Sequence, residues 1–215
     1  MVFSDGGCVV QPGLIAYLKR NVTSIIMFLN FEVPLTGSKQ WNPNDKPPSG
    51  AADTDIDDDM PSFFGLRNND TRQMGYDLHR NQVFNTNEFA QVAIDLQLQQ
   101  LKGNGAVVTS THTTIANEYW NVKSGLTVNV TWVYLSRAFN WEQRLPAPVK
   151  AMFPSEQDPT KLPTNLPLEQ MEYENFPNYV TFTQLRFFNG SANLLSNLCG
   201  WVVKANADIF QAALG

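Results

Sequence analysis

Ser24-Ile25-Ile26-Met27-Phe28-Leu29-Asn30-Phe31 is the stretch on which the fold turns. It is a continuous apolar run of strand length, the pattern of a strand buried on both faces, usually a parallel strand covered by helices. Just before it, Pro12-Gly13-Leu14-Ile15-Ala16-Tyr17-Leu18-Lys19-Arg20 sets a proline at a helix start, apolar residues at 14, 15 and 18, and two bases at the end. That spacing predicts a short helix. Earlier still, the β-prone pair Val2-Phe3 is broken at Gly6-Gly7. Residues 1–31 therefore read as strand, turn, helix, strand, a βαβ unit, and the fold class is α/β.

Farther along, residues 36–83 carry no clear periodicity and read as a long loop or insertion, a kind of segment that is often functional. A helix follows at 87–102, with Phe89, Val92, Ala93 and Leu96 in one stripe. Asn85 and Glu88 have capping-box spacing at its start, and Gly103-Asn104-Gly105 ends it. Ala106 to Ile115 is dense in β-branched residues and predicts a strand. Leu126 to Leu135 alternates apolar with polar, as a half-buried strand does, and the short link at Lys123-Ser124-Gly125 suggests antiparallel pairing with a strand near Tyr119 to Val122. Residues 146–177 hold seven prolines and read as an extended, surface-wrapping segment. Ser191 is placed to cap a helix running to about Ala205. No internal repeat is present.

Of the 215 residues, 43% are apolar and 25 are aromatic, ample for a core, while only 16% are charged. Such a chain is not disordered. The acidity is local: Asp45, Asp53, Asp55, Asp57, Asp58, Asp59 and Asp70 against Lys46 and Arg67 make seven acids and two bases, which accounts for the whole net charge of −5. The rest of the chain is neutral. No basic surface for nucleic acid or for anionic lipid is implied. Cys8 and Cys199 are too few for a disulfide framework. No apolar run reaches the ~18 residues of a spanning helix, and the first residues carry no signal-peptide pattern.

The search for catalytic sets is nearly empty. There are two histidines, His79 and His112, and no Gly-x-Ser-x-Gly elbow, phosphate loop or Cys/His cluster for zinc. His112 sits inside a strand pattern and reads as a hydrogen-bonded or exposed strand histidine rather than a base or ligand. Asp53, Asp55 and Asp57 have the spacing that opens an EF-hand calcium loop. However, Asp58 stands where that loop needs Gly and Phe64 where it needs Glu. A solvated acidic loop is thus the stronger reading and Ca²⁺ the weaker. Four Asn-x-Ser/Thr sequons, at Asn21, Asn69, Asn129 and Asn189, exceed chance expectation (roughly two or three) too little to establish a secretory origin.

What remains is Asp5-Gly6-Gly7 in its context. A strand ends in this turn, a helix Gly13 to Arg20 follows, then Asn21-Val22-Thr23, then the buried strand Ile25 to Asn30. That order resembles the segment around the catalytic aspartate of patatin-like and cytosolic phospholipase A2-like lipid acyl hydrolases. Val128 to Leu135, followed by Trp141 and Leu145-Pro146, resembles divergent protist and microbial members less specifically. The resemblance implies the later part of a three-layer patatin-like sandwich: a mostly parallel sheet with flanking helices, then a β-hairpin and a helix. Residues 1–215 would form one C-terminal portion, with the acidic insertion at about 36–83. It also implies a Ser-Asp dyad, in which the serine attacks a lipid ester and the aspartate takes its proton, without a histidine or cofactor. Asp5 would be that aspartate, with Gly6 and Gly7 allowing the tight turn.

In that family the serine and the oxyanion glycines lie N-terminal to the aspartate, where this sequence has four residues. The expectation is therefore a C-terminal part that works on a lipid or membrane-surface substrate only together with a Ser-bearing segment. The alternative is a non-catalytic relative acting as a structural or accessory subunit with a protein partner.

Overall fold

The computed structural model describes residues 13–30, 35, 56, 59–66, 78–153, 176–178, 187 and 189–215. Helix α1 (Leu14–Leu18) buries Leu14, Ile15 and Leu18, the three apolar positions of its short sequence. It ends where Asn21 takes φ 57°, a left-handed turn that Asn tolerates better than most residues. Strand β1 (Ser24–Leu29) follows at once. After a short helix α2 (Asp59–Ser62) and single 3-10 turns at Leu78–Asn81 and Thr86–Glu88, helix α3 (Phe89–Leu101) leads to strand β2 (Ala106–Thr113). Strand β3 (Thr127–Tyr134), the short helices α4 (Phe139–Glu142) and α5 (Ala147–Lys150), and the helices α6 (Asn189–Ala205) and α7 (Ala207–Leu214) complete the described elements.

The described strands form one mixed sheet in the order β1-β3-β2. β1 runs parallel to β3, with Ser24 opposite Asn129 and Leu29 opposite Tyr134; β2 runs antiparallel to β3, with Ser110 opposite Val130. On one face, Ile25, Met27, Val108, Val130 and Trp132 pack against α1, α3 and the segment Met60 to Leu66. On the other, Val107 and Val133 pack against Trp141, Phe153, Phe176 and the α6–α7 pair. The result is a three-layer α/β arrangement. α3 docks through Phe89, Val92, Ala93 and Leu96, positions i, i+3, i+4 and i+7. Burying each of the three larger ones stabilises the fold by roughly 1.5–3 kcal/mol.

The turn from α3 to β2 needs its glycines. Gly105 has φ +88°, and a Cβ there would stand 2.8 Å from Val202 Cγ2 on α6. The turn is further held by Asn140 N–H on the Gly103 carbonyl (2.9 Å) and the Asn206 side-chain amide on the Asn104 carbonyl (3.0 Å).

Several expectations are corrected. β1 is not buried on both faces: Ile25, Met27 and Leu29 are buried, but Ser24 and Phe28 are exposed, because β1 is an outer strand of the described sheet. β3 is the reverse. Its alternation predicts one wet face, yet Thr131 and Val133 are buried as well, because β3 is central and covered on both sides. Its antiparallel partner is β2, and the stretch around Tyr119 supplies one bridge, Asn117 to Val122. Among the described strands the sheet is mixed rather than mostly parallel. The segment read as a loop contributes Met60, Phe63, Phe64, Leu66 and Val83 to the core. The stretch read as surface-wrapping contributes Phe153 and Phe176, both buried. Ser191 lies inside α6 rather than at its cap, and α7 was not anticipated.

Candidate functional site

On β2, Ser110 and His112 are two residues apart and so share a face. Beside them on β3 stands Trp132, and over them comes Glu88, last residue of the turn that enters α3. These four residues form one hydrogen-bonded chain. The Trp132 indole N–H donates to Ser110 Oγ at 2.8 Å, Ser110 Oγ lies 2.6 Å from His112 Nε2, and His112 Nδ1 lies 2.6 Å from Glu88 Oε2. The proton positions follow from the acid end. A carboxylate can only accept, so His112 Nδ1 carries a proton directed at Glu88. In the neutral imidazole Nε2 is then an acceptor and takes the Ser110 hydroxyl proton, while Ser110 Oγ accepts from the indole N–H. The Asn85 side-chain amide donates to the other Glu88 oxygen at 3.2 Å.

His112 is 3% exposed and enclosed by rings: Phe84 stacks on it at 4.5 Å, while Phe64 meets it edge-on at 5.3 Å and Trp132 at 6.1 Å. Burial among these rings pulls its pKa below the usual histidine value, against the opposing pull of the Glu88 hydrogen bond and charge. That shift favours the neutral imidazole, in agreement with the proton positions above.

Ser110, His112 and Glu88 have the connectivity of a Ser-His-acid triad. Acyl transfer also requires an approach to the serine and donors aimed at the developing oxyanion. Here the serine hydroxyl is committed on both sides, to the indole and to the imidazole, and the imidazole lies inside an aromatic cage. The set acts as a polar clamp that ties the entry of α3 to β2 and β3.

An open cleft of about 690 Å³ lies elsewhere, between Asp95, Leu98 and Lys102 of α3 and Asp208, Ile209 and Ala212 of α7, with Thr109 and Asn129 among its lining. Polar side chains also gather where the parallel pair β1 and β3 ends. Arg137 grips Glu142 through two hydrogen bonds (2.8 and 2.6 Å), Ser136 Oγ donates to Gln100 Oε1, and the Asn178 amide donates to the Leu135 carbonyl. In open α/β sheets this carboxyl end is where ligands bind.

No family model, curated protein or solved structure matches the chain.

The residues singled out by sequence fall largely outside this geometry. Asp5, Gly6 and Gly7, and the candidate cation ligands Asp53, Asp55 and Asp57, lie outside the described residues. Ile56, within the acidic run, and Met60, which follows it, are buried. Among the described residues no group of three or more His, Cys, Asp or Glu is placed to hold a metal. His112 is a hydrogen-bonded strand histidine, in keeping with its sequence reading. Its partners are what sequence reasoning missed. Ser110 was legible as a same-face neighbour two residues away, but Glu88 was legible only as a helix-capping residue. Its carboxylate engages His112 and the Asn85 side chain rather than closing a capping box.

Proposed function

We propose that this chain is the C-terminal part of a patatin-like lipid acyl hydrolase, a phospholipase or lysophospholipase. Asp5 is the base of its Ser-Asp dyad, and the serine comes from outside the 215 residues. The observation that carries the reading is the order of elements after Asp5-Gly6-Gly7. A short buried helix α1 and the tight turn at Asn21 are followed by β1, which joins a parallel pair in a three-layer α/β arrangement. A dyad needs an aspartate held by a sharp turn near the carboxyl ends of parallel strands, and the polar set around Ser136 and Arg137 marks that end. The chemistry is acyl transfer: the serine oxygen bonds to the ester carbonyl carbon as its proton passes to the aspartate, which returns it to the departing alcohol.

Fluorophosphonate labelling with peptide mapping tests the reading on protein that carries the upstream segment. The expected label falls on a serine N-terminal to Met1, and Asp5→Asn abolishes ester hydrolysis while leaving the fold intact. Retained turnover in Asp5→Asn removes Asp5 from the mechanism. A label on Ser110 transfers the chemistry to the Glu88–His112–Ser110 chain, and a protein with no reactive serine is the accessory-subunit alternative.

A further inference from the structure

Three of the four sequons fall among the described residues, and the structure separates them sharply. Asn129 lies on the central strand with its Oδ1 accepting from Thr111 Oγ1 at 2.8 Å, and it lines the cleft beneath α7. The hydroxyl of its sequon belongs to Thr131, which is 1% exposed and bonded to Thr109 at 2.8 Å. Asn189 opens α6, but the hydroxyl of its sequon, Ser191, is completely buried. In Asn21-Val22-Thr23, by contrast, both the amide side chain and the threonine are exposed. The turn that presents them is held by backbone hydrogen bonds: Asn21 N–H donates to the Leu18 carbonyl at 3.0 Å and Val22 N–H to the Tyr17 carbonyl at 3.2 Å. The left-handed φ of Asn21 throws its side chain off the end of α1, before β1 begins.

From this geometry we infer that Asn21 is an N-glycan acceptor, and that Asn129 and Asn189 are not acceptors in the folded protein. In the transfer the Asn21 amide nitrogen bonds to C1 of a sugar carried on a lipid diphosphate. The bond from C1 to the diphosphate breaks, the lipid diphosphate leaves, and the amide proton passes to the transferase base. A glycan at Asn21 stands at the amino end of β1, at the opposite end of the parallel pair from Ser136 and Arg137, so it leaves the carboxyl-end face open. At Asn129 it would fill the cleft and displace the Thr111 bond.

The test expresses the full chain behind a cleavable secretion leader in eukaryotic cells. Glycopeptides are mapped in both the secreted and the cell-retained pools, so a chain that is not exported still reports. Asn21 is expected to be occupied, with Asn129 and Asn189 bare in the secreted pool. Asn21→Asp, which like Asn tolerates the left-handed backbone, and Thr23→Val are each expected to remove the same single glycan. A bare Asn21 in both pools, or a glycan on Asn129 in folded secreted protein, overturns the inference.

Discussion

Removing one oxygen atom, in Ser110→Ala, tests whether the four-residue polar chain holds the fold together. Trp132 is fully buried, so the substitution removes the acceptor of an indole N–H held inside the protein. An orphaned buried donor costs about 1–3 kcal/mol, and the loss of the hydrogen bond to His112 Nε2 adds about 1 kcal/mol. The sum, about 2–4 kcal/mol, is a large share of the ~5–15 kcal/mol that keeps a domain folded. For a chain of this size it lowers Tm by about 4–16 °C, at roughly 2–4 °C per kcal/mol. Thr111→Ala on the same strand is the control: its hydroxyl donates to Asn129 at an exposed position, where water substitutes, so its loss costs under about 1 kcal/mol. Urea unfolding followed by tryptophan fluorescence at about pH 7.5 reads both variants. If Ser110→Ala loses no more stability than Thr111→Ala, the chain from Trp132 to Glu88 is decoration and its energetic account fails.

The same chain makes stability depend on pH. Burial lowers the folded pKa of His112 below its ordinary 6.5, so below that pH the unfolded chain binds the proton first. The contribution is full above pH 6.5 and is lost as pH falls from there through the lowered folded value. His112→Gln is expected to remove that limb from a plot of unfolding free energy against pH, and a limb unchanged in the variant assigns it to other groups. At the α3–β2 turn, Gly105→Ala meets both the left-handed backbone, at about 1–2 kcal/mol, and the Val202 methyl 2.8 Å away. Adding Val202→Ala relieves the contact but not the backbone cost, so the double variant loses less stability than the sum of the two single losses. Strict additivity in denaturant melts would show that the contact carries no energy.

The candidate site was legible in sequence only in fragments. The acidic run and Asp5-Gly6-Gly7 declare themselves through composition and local turn chemistry, which need no partner to be read. The Glu88–His112–Ser110–Trp132 chain does not, because its members come from positions up to 44 residues apart and meet only through sheet register. Glu88 in particular offers two readings, as a cap for α3 and as an acceptor for a histidine. What decides between them is that β2 places His112 Nδ1 within 2.6 Å.

By itself the sequence determined these elements and their order: the short helix α1, the apolar run of β1 after it, the stripe on α3, and the strands β2 and β3. Each rests on periodicity and turn residues within a dozen positions, and local sterics govern those. Tertiary structure alone decided which strand is enclosed. β1 carries the continuous apolar run yet leaves Phe28 65% exposed, whereas β3 alternates yet is covered on both faces. Burial of a strand's second face depends on what packs over it. That is set by the order β1-β3-β2 and by the placement of α6 and α7, contacts between residues far apart in the chain that no local pattern records.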